Sequence, residues 1–198
     1  MHRRRFLLLE PAALFPACGA PETAPKFHAA DVTGADRARG FELTDHTGRR
    51  RTLADFKDKG VMVFFGFTNC PDACPTALAE MAEAVKRLGP DGARGQGVFI
   101  TVDPERDTPE VLAKYVPAFH PSFLGLHGTP EEIARTAKEF KVYYKAHRDP
   151  GADSNQYAVD HTSATFVFDP QGRARLYVSQ NGRTTGHLVE DLNWLLGA

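Results

Sequence analysis

The run Val61-Met62-Val63-Phe64-Phe65-Gly66-Phe67 constrains the fold more than any other part of the chain. It is short, apolar, and rich in β-branched and aromatic residues, the composition of a strand buried on both faces. A membrane-spanning helix would need about 20 such residues. The run ends in the turn Thr68-Asn69-Cys70-Pro71-Asp72-Ala73-Cys74-Pro75, and beyond it Leu78, Met81, Ala82, Val85 and Leu88 recur at helical spacing. A buried strand handing over to an amphipathic helix is a building unit of parallel sheets. Here the handover carries two cysteines.

The remaining pattern extends this unit. Residues 41–48 and 49–53 read as a hairpin turning at His46 to Gly48, and residues 89–97 as a glycine-rich loop. Residues 98–102 read as a second buried strand. Thr108-Pro109-Glu110 and Thr129-Pro130-Glu131-Glu132 each start a helix, with a threonine cap, proline in the first turn and acidic residues at the positive end of the dipole. A short strand over 123–126 separates these helices. Residues 165–168 and 174–178 flank the turn Asp169-Pro170-Gln171-Gly172, and a final helix from about Thr185 offers Leu188, Val189, Leu192, Leu195 and Leu196 to the core. The order predicts an α/β protein: a thioredoxin-like fold with an N-terminal β-hairpin and one extra strand-helix unit. In such sheets, sites form at the carboxyl ends of strands, where Cys70 and Cys74 lie.

A chain of 198 residues suits one domain with a short leader. The expected division is a signal or lipoprotein leader over 1–18, a flexible tether over 19–39 and the domain over 40–198. His2-Arg3-Arg4-Arg5 precedes a mostly apolar stretch that ends at Ala17-Cys18-Gly19. That pattern suits export and lipid attachment at Cys18. It places the domain on the periplasmic side of a bacterial inner membrane, in an oxidising compartment. A net charge of −1 without a basic stripe argues against nucleic acid, and three cysteines are too few for a disulfide scaffold.

Cys70 and Cys74 are spaced i, i+4. On a helical turn both sulfurs share a face, with Cα atoms about 6 Å apart. That separation allows a disulfide, and it equally allows two thiolates on one soft metal ion. A helix N-terminus favours the thiolate. Of the eight histidines, His161 in Tyr157-Ala158-Val159-Asp160-His161-Thr162-Ser163 stands out. In a thioredoxin-like fold the loop entering the following strand abuts the cysteine turn. Asp160 is the expected orienting partner, and His127 and Asp103 are the next candidate ligands.

Three blocks resemble the Sco/SenC family of copper proteins: Phe64 to Pro75, Thr101-Val102-Asp103-Pro104-Glu105-Arg106-Asp107-Thr108-Pro109, and Val159-Asp160-His161-Thr162. The resemblance runs from about Lys26 to the C-terminus. It implies copper, as Cu(I) and Cu(II), held by Cys70, Cys74 and His161, and a role in assembling the binuclear copper centre of cytochrome c oxidase. The implied partners are the copper-bearing oxidase subunit and a periplasmic copper carrier or thiol reductant. Membrane attachment would run through the N-terminal anchor. Two alternatives stand beside copper delivery. One is a thiol-disulfide oxidoreductase that uses Cys70 and Cys74 to reduce the cysteines of that copper site. The other is a copper or redox sensor.

Overall fold

The apolar run becomes the middle of a sheet because neither of its faces meets water. A computed structural model describes residues 26–148, 157–179 and 184–197. Its strands are β1 (Ala30–Asp31), β2 (Glu42–Asp45), β3 (Arg50–Thr52), β4 (Gly60–Gly66), β5 (Gly95–Thr101), β6 (Leu124–His127), β7 (Tyr144–His147), β8 (Ala158–His161), β9 (Ala164–Phe168) and β10 (Ala174–Ser179). The helices are α1 (Ala73–Arg87), α2 (Pro109–Tyr115), α3 (Pro130–Phe140) and α4 (Thr185–Gly197). Eight strands form one sheet in the order β1-β10-β9-β4-β5-β6-β2-β3, and β7 and β8 form a separate two-stranded ribbon. This is a thioredoxin-like α/β fold with the expected N-terminal hairpin, β2–β3.

β4 lies between β5, parallel, and β9, antiparallel, and all seven of its residues are buried. Alternation divides its side chains between two faces. A Cβ on Gly60 would meet Leu192 and Leu196 of α4, and one on Gly66 would meet Cys74 of α1, so α1 and α4 cover the face carrying Phe64. Phe65 faces the other way, against Phe140 of α3 and Phe166 of β9, with ring centroids 5.0 and 6.4 Å away. The helix starts follow the caps read from sequence. The Thr108 hydroxyl accepts from the Val111 amide, and Thr129 and Glu132 make a complete capping box.

Three features depart from the sequence expectations. Strand β5 begins at Gly95, and residues 89–94 are a 3-10 helix rather than a loop. The glycines here serve close packing within a strand: a Cβ on Gly97 would lie 2.6 Å from the Phe123 ring. The expected tether over 19–39 is folded wherever it is described. β1 pairs with β10, the backbone amides of His28 and Ala29 donate to the Asp191 carboxylate at 3.0 Å, and Phe27 stands edge-on to Trp194 at 5.0 Å. The leader, Cys18 and the rest of that segment lie outside the described residues. The ribbon β7–β8 was not anticipated. Its strands are short and mostly exposed, so they carry no strong apolar period.

Candidate metal centre

β4 delivers the chain to the carboxyl end of the sheet, and the turn that follows is pinned from two sides. The Cys70 amide donates to the Phe67 carbonyl at 3.2 Å. The amide and hydroxyl of Thr68 donate to the carboxylate of Asp107, the hydroxyl at 2.6 Å, and the Thr101 hydroxyl donates to the same carboxylate at 2.6 Å. Asp107 is buried; burial pushes its carboxyl up, and the bonds from Thr101 and Thr68 pull it back. It therefore ties the cysteine turn to the end of β5. Sequence reading assigned Asp107 and Thr68 no role, since their pairing links residues far apart in the chain.

α1 starts at Ala73, so Cys74 sits in its first turn, with no exposed surface; Cys70, in the turn before it, is half-buried. Neither cysteine is in a disulfide. The helix N-terminus was expected to favour thiolates. For Cys74 burial overrides it and pushes the thiol up, with neighbouring Cys70 and Asp107 adding to the effect against a backbone hydrogen bond at Phe67. The Tyr115 hydroxyl is buried without a hydrogen-bond partner among the described residues, and its phenol is pushed up by burial and by Cys74 and Cys70.

His161 closes the site from the third side. It ends β8 and its ring stands edge-on to Phe64 and Phe67, 6.0 and 5.7 Å between centroids. Nδ1 lies 3.2 Å from the Thr162 carbonyl oxygen, to which it donates, leaving the Nε2 lone pair aimed at Cys74 Sγ, 3.6 Å away. Burial holds its pKa below the ordinary histidine value, so the ring is neutral at neutral pH. The donor atoms of Cys70, Cys74 and His161 all lie within 4.8 Å of one another, and no other such group of three occurs among the described residues. Two sulfurs and one imidazole nitrogen can hold a soft cation, and the two sulfurs can also form and break a disulfide.

The other expected participants lie elsewhere. Asp160 does not orient His161: it is exposed and pairs with His147 Nε2 at 2.7 Å, because alternation along β8 turns the two side chains apart. Asp103 is buried and occupied by Tyr157 and Arg106. His127, at the end of β6, is not part of the donor group.

The close approach of Cys74 to β4 makes Gly66 a sensitive position. A Cβ there would lie 2.6 Å from Cys74 Sγ and 2.8 Å from Phe99 Cε2. Gly66→Ala is expected to destabilise the fold by about 1–3 kcal/mol through overpacking and to displace Sγ. Urea unfolding checks the first effect and metal titration the second; parent values for both would show that the site yields freely.

The SCO1/SenC family model matches residues 29–197. The mitochondrial SCO2 homolog of Mus musculus is 41% identical over 154 residues, covering 77% of this chain and 59% of its own. The apo Sco1 solution structure from Thermus thermophilus is 40% identical with a TM-score of 0.76, covering 87% of this chain and 99% of that one. The Bradyrhizobium japonicum ScoI structure with copper bound is 38% identical with a TM-score of 0.69, covering 79% and 97%. The chain spans about half the length of the curated relatives it matches, 59% of the mouse protein and 53% of the human SCO2 homolog.

Proposed function

This chain belongs to the SCO1/SenC family, and from that premise we propose that it is a copper chaperone. In this reading it binds copper through Cys70, Cys74 and His161 and helps assemble the binuclear copper centre of cytochrome c oxidase. The observation that carries the reading is the convergence of two thiol sulfurs and one imidazole Nε2 within 4.8 Å. The copper-bound structure of a relative supports it. Two thiolates and an imidazole suit three-coordinate Cu(I), and Cu(II) accepts a further weak ligand. A closed zinc site would want a fourth donor, and no fourth His, Cys, Asp or Glu joins the group among the described residues.

The residues divide the work. Cys74, fully buried, is the inner anchor; Cys70 and His161, both half-buried, face the side from which a partner's ligands would enter. Binding converts the Cys74 thiol to a thiolate and releases its proton, so affinity rises with pH. Titration of the reduced protein with Cu(I) tests the reading: one ion per chain is expected, and none would sink it.

A second reading, thiol-disulfide exchange with the cysteines of the oxidase copper site, is favoured by one observation. Both cysteines are free, and one of them is accessible.

The same proposal places the domain on the periplasmic side of the membrane, held through the leader and lipid on Cys18. Cys18→Ser is expected to release the protein into the soluble fraction while copper stoichiometry stays at the parent value. Fractionation followed by metal analysis checks this; loss of copper from that variant would refute the separation of anchor and site.

A further inference from the structure

His161 is carried by a ribbon that has little of its own to fix it. Strands β7 and β8 have four residues each, and Val159 is the one buried residue of the two strands. A two-stranded ribbon of this size is marginal in water. Val159 and Tyr144 pack on the core and the His161 ring on Phe64 and Phe67, and the loop that follows β5 adds the polar hold against the cysteine turn. Tyr157, the residue before β8, donates its hydroxyl to Asp103 Oδ1. Arg106 donates Nε to Asp103 Oδ2 and Nη1 to the Tyr157 carbonyl at 2.9 Å. Its guanidinium also lies 3.6 Å from the centroid of the Tyr157 ring. Arg148, just after β7, lies 4.1 Å from that ring and pairs with Glu105 of the same loop. Asp103 and the Arg106 side chain are nearly inaccessible, 4% and 11% exposed. One residue further on, Asp107 holds Thr68 of the cysteine turn.

One short loop therefore grips both halves of the donor set. We propose that Arg106 and Tyr157 are positioning residues that register His161 against Cys70 and Cys74; the inference rests on the copper reading above. Apolar burial of Val159 and part of Tyr144 fixes the ribbon only loosely. A buried carboxylate that accepts from a phenol and a guanidinium fixes it in direction and distance. The guanidinium can stack on the ring and donate to the carboxylate at once because it is planar, and a lysine ammonium cannot do both. The cysteine turn is held separately, through Asp107, so loosening the ribbon leaves the two sulfurs where they are.

The test uses the full chain with Tyr157→Ala, Tyr157→Phe and Arg106→Lys, beside the parent. Outer-sphere partners of a ligating histidine are typically worth 10–100-fold in metal affinity. Tyr157→Ala and Arg106→Lys are expected to lose Cu(II) affinity in about that range and to show less nitrogen coordination. The Cys70–Cys74 bridge should still form and be reduced, with a potential shifted no further than in His161→Ala, which removes the same contact to Cys74. Tyr157→Phe, which keeps the stacked ring but loses the bond to Asp103, should fall between the parent and Tyr157→Ala. In the metal-free protein, amide hydrogen exchange over 158–161 should quicken in the first two variants while α1 and β4 keep parent protection. Parent Cu(II) affinity and parent exchange in Arg106→Lys would overturn the proposal, as would a cysteine potential shifted beyond that of His161→Ala. If Tyr157→Ala fails to fold, Arg106→Lys decides alone. If the parent binds no copper, the chaperone reading fails, and the exchange experiment still judges the clamp.

Discussion

Bridging Cys70 to Cys74 is expected to take copper binding from one ion per chain to none. The metal needs thiolates, and a disulfide sulfur is a poor donor. Both cysteines are free in the structure, so the bridge forms by loss of two protons and of two electrons to an added thiol oxidant such as diamide. What remains after bridging is one imidazole, which cannot compete for a soft ion with any thiol in solution. The asymmetry of the pair sets the route back. Cys74 is fully buried against Gly66 of β4, while Cys70 is half-buried, so an external reductant attacks Cys70 and Cys74 leaves. Metal analysis of reduced, bridged and re-reduced protein reads the result directly. Copper retained at full stoichiometry by the bridged form would contradict it.

His161→Ala is expected to separate the two functional readings. Removing the imidazole takes away one of three donors and leaves the sulfurs untouched. Because even outer partners of a ligating histidine are worth 10–100-fold, loss of the ligand itself should weaken Cu(II) by about 100-fold or more. The Cys70–Cys74 bridge should still form and reduce, since exchange needs two sulfurs and an accessible path. In a strain lacking the protein, a copper chaperone with this change would fail to restore oxidase activity at low copper. A reductase would restore it nearly as well as the parent, while Cys70→Ser would fail in both cases. Unchanged copper affinity and spectrum in His161→Ala would remove His161 from the ligand set.

The parts of this protein that declare themselves in sequence are those whose cause is local. β4 announces itself by the apolar run Val61 to Phe67, and the threonine caps at Thr108 and Thr129 by the proline and acidic residues beside them. The cysteine pair is legible because strand, turn and helix follow one another without interruption. His161 stands out among the histidines only through the predicted fold, which sets the loop before a core strand beside the cysteine turn, and the resemblance over three blocks then implies it as a ligand. The features that escaped depend on partners remote in the chain. The strap over 26–39 looks like a tether because its composition is that of one, and its docking rests on backbone amides donating to Asp191, 162 residues away from Ala29. The ribbon carrying His161 has exposed strands with little apolar period, so nothing local marks it. Asp160 was misassigned because neighbours in a strand point to opposite sides. The thiolate preference expected at a helix start reversed at Cys74 because burial outweighs a dipole that acts over one turn.

The most direct test of the central claim is X-ray absorption on the reduced protein loaded with one equivalent of Cu(I), compared with His161→Ala. Two sulfur donors and one nitrogen donor are expected in the parent, with the nitrogen gone and both sulfurs kept in the variant. A parent spectrum with sulfur donors alone, or a nitrogen that persists when His161 is removed, would contradict the three-donor site.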